Sequence, residues 1–163
     1  MKTNLLLAFT ALTLALPLPA SAACAICSCS VSTTPVAFGT YNPMSASPRD
    51  SDGSVALSCA GLVGGVVAYD ISLGQGLNST VFSPRQMSSG ANRLDYDLYT
   101  SSAYSSIWGD GTGGSQKVSG TVTIVLLGGT TATLVVYGRI PGNQTSVRAG
   151  SYSDSVLVTV TYN

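Results

Sequence analysis

The chain of 163 residues contains no histidine and no glutamate, and all seven of its acidic residues are aspartate. A Ser/His/Asp triad, a Cys/His pair and glutamate acid–base catalysis are therefore excluded, because each needs a missing side chain. Asp95 and Asp97 form a close acid pair, and their spacing on a strand is typical of a solvated sheet edge. We expect no catalytic residues, no cofactor and no enzymatic activity.

Charge is also scarce, since charged residues make up 9% of the chain and the formal net charge is zero. This composition does not suggest a polyanionic partner, so we expect no nucleic acid binding. The chain has 18 glycines, and serine and threonine dominate its polar positions, which is typical of a β-rich extracellular protein. A hydrophobic content of 45% argues against a disordered chain.

Long apolar runs are missing except near the N-terminus, where one extends over residues 5–16. It follows Lys2, and the small residues Ala20, Ser21 and Ala22 come after it, as in a secretory signal with its cleavage site. The run is shorter than the roughly 20 residues that a membrane-spanning helix needs. We predict an export signal over residues 1–22 and one mature domain over 23–163, without a membrane span.

Four cysteines, at positions 24, 27, 29 and 59, suggest disulfides in an exported protein. Cys29 and Cys59 each lie in a strand pattern, so a bridge between them would join the first strand to the second. Cys24 and Cys27 could form a local bridge, pair between molecules, or join Cys29 in a metal cluster. The absence of histidine argues against a closed zinc site, and we expect no metal.

The rest of the sequence alternates strand patterns with turn residues and shows no long helical pattern. Residues 118–127 and 131–140 are predicted to form a hairpin around a tight Gly128-Gly129 turn, and residues 74–92 are predicted to be a long irregular connection. The strands number about seven, which favours an all-β antiparallel sandwich. The other predicted strands are 31–41 (broken), 54–59, 66–73, 94–99 and 155–163.

The last of these strands has the clearest alternation in the chain. Val156, Val158, Val160 and Tyr162 fall on one face, and the residues between them fall on the other. Such an apolar strand at the end of the sequence is expected either to lie inside a sheet or to present an open edge. An open edge can pair with a strand of another chain.

Aromatic residues in the loop after residue 99 leave a second function open, because Tyr104 and Trp108 could stack on a sugar. Residues 108–114 resemble an ion-binding or sugar-binding loop but carry too few carboxylates for calcium. We therefore expect a structural turn and packed aromatic side chains there. A secreted carbohydrate-binding module remains the alternative function.

Six further motifs occur in order along the chain, at residues 29–31, 38–43, 93–99, 108–111, 136–141 and 149–154. Together they resemble the spore coat protein U domain family, which includes subunits of archaic chaperone–usher pili of the Csu type. The resemblance implies an incomplete immunoglobulin-like sandwich that lacks its final strand. It also implies a periplasmic chaperone, an outer-membrane usher and neighbouring pilus subunits as partners, with a neighbour's N-terminal segment supplying the missing strand at the cell surface.

The family's shaft subunits carry a long donor segment before their first cysteine, which Cys29 matches. After the predicted cleavage only residues 23–28 would precede Cys29, and six residues span at most about 20 Å. We therefore expect a minor or terminal subunit of an adhesive surface fibre. A secreted coat protein or adhesive module outside a fibre is the alternative.

Overall fold

The computed structural model describes residues 27–62 and 64–162. These residues form eight β-strands and no helix. The predicted signal, residues 1–22, lies outside the described residues, as does Cys24. The strands are β1 (Cys27–Thr34), β2 (Arg49–Gly61), β3 (Gly65–Leu73), β4 (Arg85–Ser89), β5 (Asn92–Tyr99), β6 (Val118–Ile124), β7 (Gly128–Ile140) and β8 (Val158–Tyr162).

The strands form two antiparallel sheets, one of five strands in the order β1-β2-β7-β5-β4 and one of three in the order β6-β3-β8. In the immunoglobulin fold, strands A, B, E and D share one sheet and C, F and G share the other. By order along the chain and in the sheets, β1-β2-β7-β5 corresponds to A-B-E-D and β3-β8 to C-F. No strand of the described chain takes the place of G beside β8. The predicted incomplete immunoglobulin-like sandwich is therefore confirmed.

A single hydrophobic core lies between the sheets, and period-two alternation supplies it. In β3, for example, Val67, Tyr69, Ile71 and Leu73 are buried while the residues between them are more exposed. The remaining buried members are Phe38, Tyr41, Val55, Leu57, Cys59, Met87, Leu94, Tyr96, Leu98, Trp108, Val122, Ile124, Val136 and Ile140.

The connection into β8 carries a tyrosine corner, as immunoglobulin-like domains do. The hydroxyl of Tyr152 donates a hydrogen bond to the carbonyl of Arg148, four residues upstream, at 2.7 Å. In the immunoglobulin fold this motif stands at the start of strand F. It independently supports the correspondence between β8 and strand F.

The predicted Gly128-Gly129 hairpin is wrong. Both glycines lie inside β7, and the turn comes earlier, at residues 125–127, with Leu127 at a φ of 55°. β6 pairs with β3 while β7 pairs with β2 and β5, so the two strands belong to different sheets. Two long adjacent strands look like a hairpin in sequence, because alternation does not reveal which strand each one pairs with.

The predicted long connection over residues 74–92 contains a strand that the sequence did not reveal. β4 has the sequence Arg-Gln-Met-Ser-Ser, in which an arginine occupies a buried position, so its apolar alternation is weak. It pairs with β5 from Arg85 opposite Tyr96 to Ser89 opposite Asn92. The final strand is also shorter than predicted, beginning at Val158.

The aromatic residues that could have formed a sugar site are packed. Trp108 is buried, and its Nε1 donates a hydrogen bond to the carbonyl of Ile71 at 3.0 Å. Tyr104 makes edge-to-face contacts with Tyr99 and Tyr137, and the guanidinium of Arg139 lies 3.6 Å from the centre of its ring. The expectation of structural packing in this loop is confirmed for these side chains.

In the described part of the chain, no helix has the length and apolar character needed to cross a membrane.

Candidate functional site: an open groove between the two sheets

A groove of about 670 Å³ opens between the sheets beside β8. One wall runs from Thr33, at the end of β1, to Thr40, and the other runs from Ser151 to Val158, at the start of β8. Its floor is the hydrophobic core itself, formed by Phe38, Leu73, Met87, Tyr96, Leu98 and Val136. Each wall is about eight residues long, the length of one β-strand of about 26 Å.

Both strands that border the groove are at the edges of their sheets. β1 pairs only with β2, and β8 pairs only with β3, among the described strands. Val31 of β1 stands opposite the buried Leu57, on the core-facing side, yet its exposed fraction is 45%. This core-facing valine stays exposed because none of the described strands covers it.

The four predicted acceptor residues alternate as expected along the β8 side. Val158 stands opposite Leu73, Val160 opposite Ile71, and Tyr162 opposite Tyr69, so all three side chains share the face of buried β3 residues. Val156 and Val158 line the groove, whereas Val160 and Tyr162 continue along the open edge beyond it.

The burial of these side chains is incomplete. Val156, Val158 and Val160 are half-buried, and the exposed fraction of Tyr162 is 44%. Apolar residues on the core side of a sheet lose this exposure only if another strand or chain covers them. The arrangement can therefore accept one added β-strand, with backbone hydrogen bonds to β8 and apolar contacts to the floor.

A buried arginine holds together the loops beneath this end of the groove. Arg85 is fully buried, and its guanidinium donates to the carbonyls of Gly74 at 2.9 Å, Phe82 at 3.1 Å and Trp108 at 2.6 Å. Burial lowers the pKa of Arg85, and the nearby Tyr96, Asp97 and Asp154 oppose that change. One side chain thus satisfies backbone carbonyls near both ends of the β3–β4 loop and in the β5–β6 loop.

The acid pair Asp95 and Asp97 does not form a solvated edge, contrary to expectation. The exposed fraction of Asp97 is only 8%, and one of its oxygens accepts a hydrogen bond from Ser83 at 3.0 Å. Burial raises the pKa of this carboxyl group. The loop that carries Ser83 covers Asp97, and the strand pattern gave no sign of that cover.

The predicted disulfide is present. Cys29 and Cys59 are bonded across a directly paired position of β1 and β2, and Cys59 is fully buried. Cys27 is also disulfide-bonded. A metal cluster built from Cys27 and Cys29 is therefore wrong, because both sulfurs are engaged in disulfides.

Replacing Cys29 and Cys59 together by serine is expected to lower the free energy of unfolding by about 3–4 kcal/mol. The bridge closes a chain segment with a sequence separation of 30, and the entropy of the unfolded chain rises when that closure is lost. The change is measured by denaturant unfolding of the protein with an added β-strand bound in the groove. Ser30→Ala, at an exposed position of β1, is the control. The disulfide assignment would be contradicted if peptide mapping under non-reducing conditions found Cys59 linked to another cysteine.

Sequence reasoning missed the wall opposite β8. Of residues 33–40, only Thr33 and Thr34 belong to a strand, the end of β1. Pro35 and Gly39 interrupt the alternation of the residues that follow. Pro35 cannot donate a backbone hydrogen bond, which is the signal that this stretch does not continue a ladder. Val36 and Phe38 nevertheless turn inward and pack against the core.

The chain matches the family described as the Spore Coat Protein U domain over residues 15–159. No curated protein matches it significantly.

Among solved structures, the chain is similar to one from the CsuC–CsuE chaperone–tip adhesion subunit pre-assembly complex of the archaic chaperone–usher Csu pili of Acinetobacter baumannii. The two sequences are 24% identical, and the TM-score is 0.54. The match covers 83% of this chain but 39% of that chain, so this protein spans well under half of its neighbour's length. At this identity the similarity shows a shared fold.

Proposed function

Because the chain belongs to the Spore Coat Protein U domain family, and because its sandwich lacks the strand beside β8, we propose that it is a structural subunit of a chaperone–usher surface fibre. A neighbouring subunit would supply the missing strand to the groove. The protein is then not an enzyme, and its partners are a periplasmic chaperone, an outer-membrane usher and other subunits. The single observation that carries this function is the groove itself, with the half-buried valines of β8 along one side.

The groove is suited to bind a β-strand whose only requirement is apolar residues at alternate positions. The walls offer serine and threonine side chains and backbone groups, while the floor is apolar. A strand with apolar residues at alternate positions would bury them against Phe38, Met87 and Leu98 and pair its backbone with β8. A chaperone strand would protect the same surface before assembly, and the usher would then exchange it for a subunit's strand.

Export is part of this proposal. The N-terminal pattern of residues 1–22 would direct the chain to the periplasm, and the fibre would carry the mature domain, residues 23–163, to the cell surface. The Cys29–Cys59 disulfide supports this route, because such bonds persist in oxidising compartments.

The position in the fibre follows from the segment before β1. With cleavage after Ala22, residues 23–26 alone would precede β1, and they could extend over at most about 14 Å, less than the roughly 26 Å of a groove wall. Cys27 and Ser28 are already paired with β2 as part of β1, so they are not available for donation. We therefore propose a minor or terminal subunit that accepts a strand and does not donate one.

The test mixes chaperone-bound subunit with a donor peptide of about ten residues in which valine alternates with threonine. With the peptide, we expect an SDS-resistant complex that contains one peptide per subunit. When usher is added in place of the peptide, we expect no ladder of homo-oligomers. Ladders that survive reduction would contradict the terminal position alone. Failure to take up any donor, together with retention of the monomer on a glycan column, would contradict the fibre role and favour the carbohydrate-binding alternative.

A further inference from the structure

The groove wall formed by residues 150–157, here called the wall segment, has few backbone attachments. Gly150 bridges to Tyr41, Ser153 bridges to Ser88, and the carbonyl of Leu157 accepts a hydrogen bond from Gly74 at 2.8 Å. Between these points the wall segment belongs to no ladder. Its apolar side chains and the apolar floor would favour collapse of this wall into the groove, because collapse removes apolar surface from water.

One carboxylate ties the wall segment to the loop between the sheets and to the five-stranded sheet. Asp154 Oδ1 accepts hydrogen bonds from the backbone N–H of Leu77 at 3.0 Å and from Asn78 Nδ2 at 2.9 Å, in the loop that leads from β3 to β4. Its Oδ2 accepts a hydrogen bond from the hydroxyl of Tyr96 in β5 at 2.8 Å. The β3–β4 loop crosses from the three-stranded to the five-stranded sheet, so Asp154 joins this crossing to β5, and we call these contacts the cross-tie.

The surroundings of Asp154 are shaped to hold it. Gly76 has a φ of 91°, and a Cβ at that position would collide with the carboxylate, so glycine leaves the space that Asp154 occupies. Burial, followed by the hydrogen bond to Asp154, raises the pKa of Tyr96, which keeps its hydroxyl a donor. The buried guanidinium of Arg85 also interacts with Asp154 electrostatically.

In a complete immunoglobulin-like sandwich the strand beside F helps to hold the two sheets apart at this edge. We propose that Asp154 takes over this task while the strand is missing: it is a positioning residue that keeps the groove open for the incoming donor strand. This inference rests on the proposed function. It adds that the groove is held ready by a polar cross-tie, rather than being opened by the donor.

The cross-tie is tested by donor exchange. The full chain is fused after Asn163 to the alternating valine–threonine donor through a protease-cleavable linker, the linker is cut, and replacement of the donor by labelled peptide is followed. Asp154→Ala removes all three acceptor contacts, so the emptied groove should collapse and capture labelled donor about tenfold more slowly. Asp154→Asn keeps an oxygen for Leu77 and Asn78 and should stay within about threefold of the unsubstituted protein. Asp52→Ala removes an exposed carboxylate outside the groove and serves as the matched control.

Hydrogen exchange separates positioning from general destabilisation. In Asp154→Ala we expect faster exchange at the amide of Ser153, in the wall segment, and unchanged protection at Leu57, in the β2–β7 ladder. Equal loss of protection at both amides, or capture of labelled donor by Asp154→Ala within about twofold of the unsubstituted protein, would overturn the proposal while leaving the fibre role intact. If the unsubstituted protein itself takes up no labelled donor, the fibre role fails and the cross-tie proposal fails with it.

Discussion

A donor strand fused after Asn163 is expected to convert an aggregation-prone subunit into a soluble and cooperatively folding monomer. The donor should run antiparallel to β8, so a short flexible linker can return the chain into the groove. Full burial of an apolar side chain contributes about 1.5–3 kcal/mol, and about half of that burial is still to be gained at each of Val156, Val158, Val160 and Tyr162. The gain is therefore about 3–6 kcal/mol, a large share of the stability of a typical domain.

Denaturant unfolding of the fused and unfused mature proteins, both made without a chaperone, measures this effect. The matched control is a fusion with the same linker and donor composition but with the alternation shifted by one residue, which turns threonine toward the floor. We expect this control to fold no better than the unfused protein. An unfused domain that is monomeric and cooperatively stable would contradict the incomplete-fold interpretation.

Arg85→Ala is expected to lower the free energy of unfolding by about 3–5 kcal/mol. The substitution leaves the carbonyls of Gly74, Phe82 and Trp108 without their donor and removes the charge that faces Asp97. Arg85→Lys should recover only part of the loss, because one ammonium group cannot reproduce the planar fork that reaches three carbonyls. Denaturant midpoints of the donor-fused protein provide the measurement.

Arg93 supplies the matched control for this substitution. It is exposed and donates to the carbonyls of Gly90 and Asn92, close to it in sequence. Arg93→Ala is expected to change the free energy of unfolding by less than about 0.5 kcal/mol. Equal midpoints for Arg85→Ala and Arg93→Ala would show that the buried guanidinium does not hold the two loops together.

Features that depend on local alternation and on residue chemistry can be predicted from the sequence alone. Leu94, Tyr96 and Leu98 point to the core because side chains of a strand alternate between its two faces, whatever the strand pairs with. The same rule placed Val158, Val160 and Tyr162 together on β8. The Cys29–Cys59 bridge was also predictable, because both cysteines lie in strand patterns of an exported chain.

Packing in three dimensions sets which edges meet and which loops cover them. β6 and β7 follow one another in the chain but enter different sheets, since strand pairing depends on contacts between distant residues. The burial of Arg85 depends on carbonyls from two separate loops, and the cross-tie at Asp154 depends on contacts with the β3–β4 loop and with β5. Alternation in the sequence contains no signal for such contacts, because they exist only after the layers have packed and their loops have been placed around the open groove.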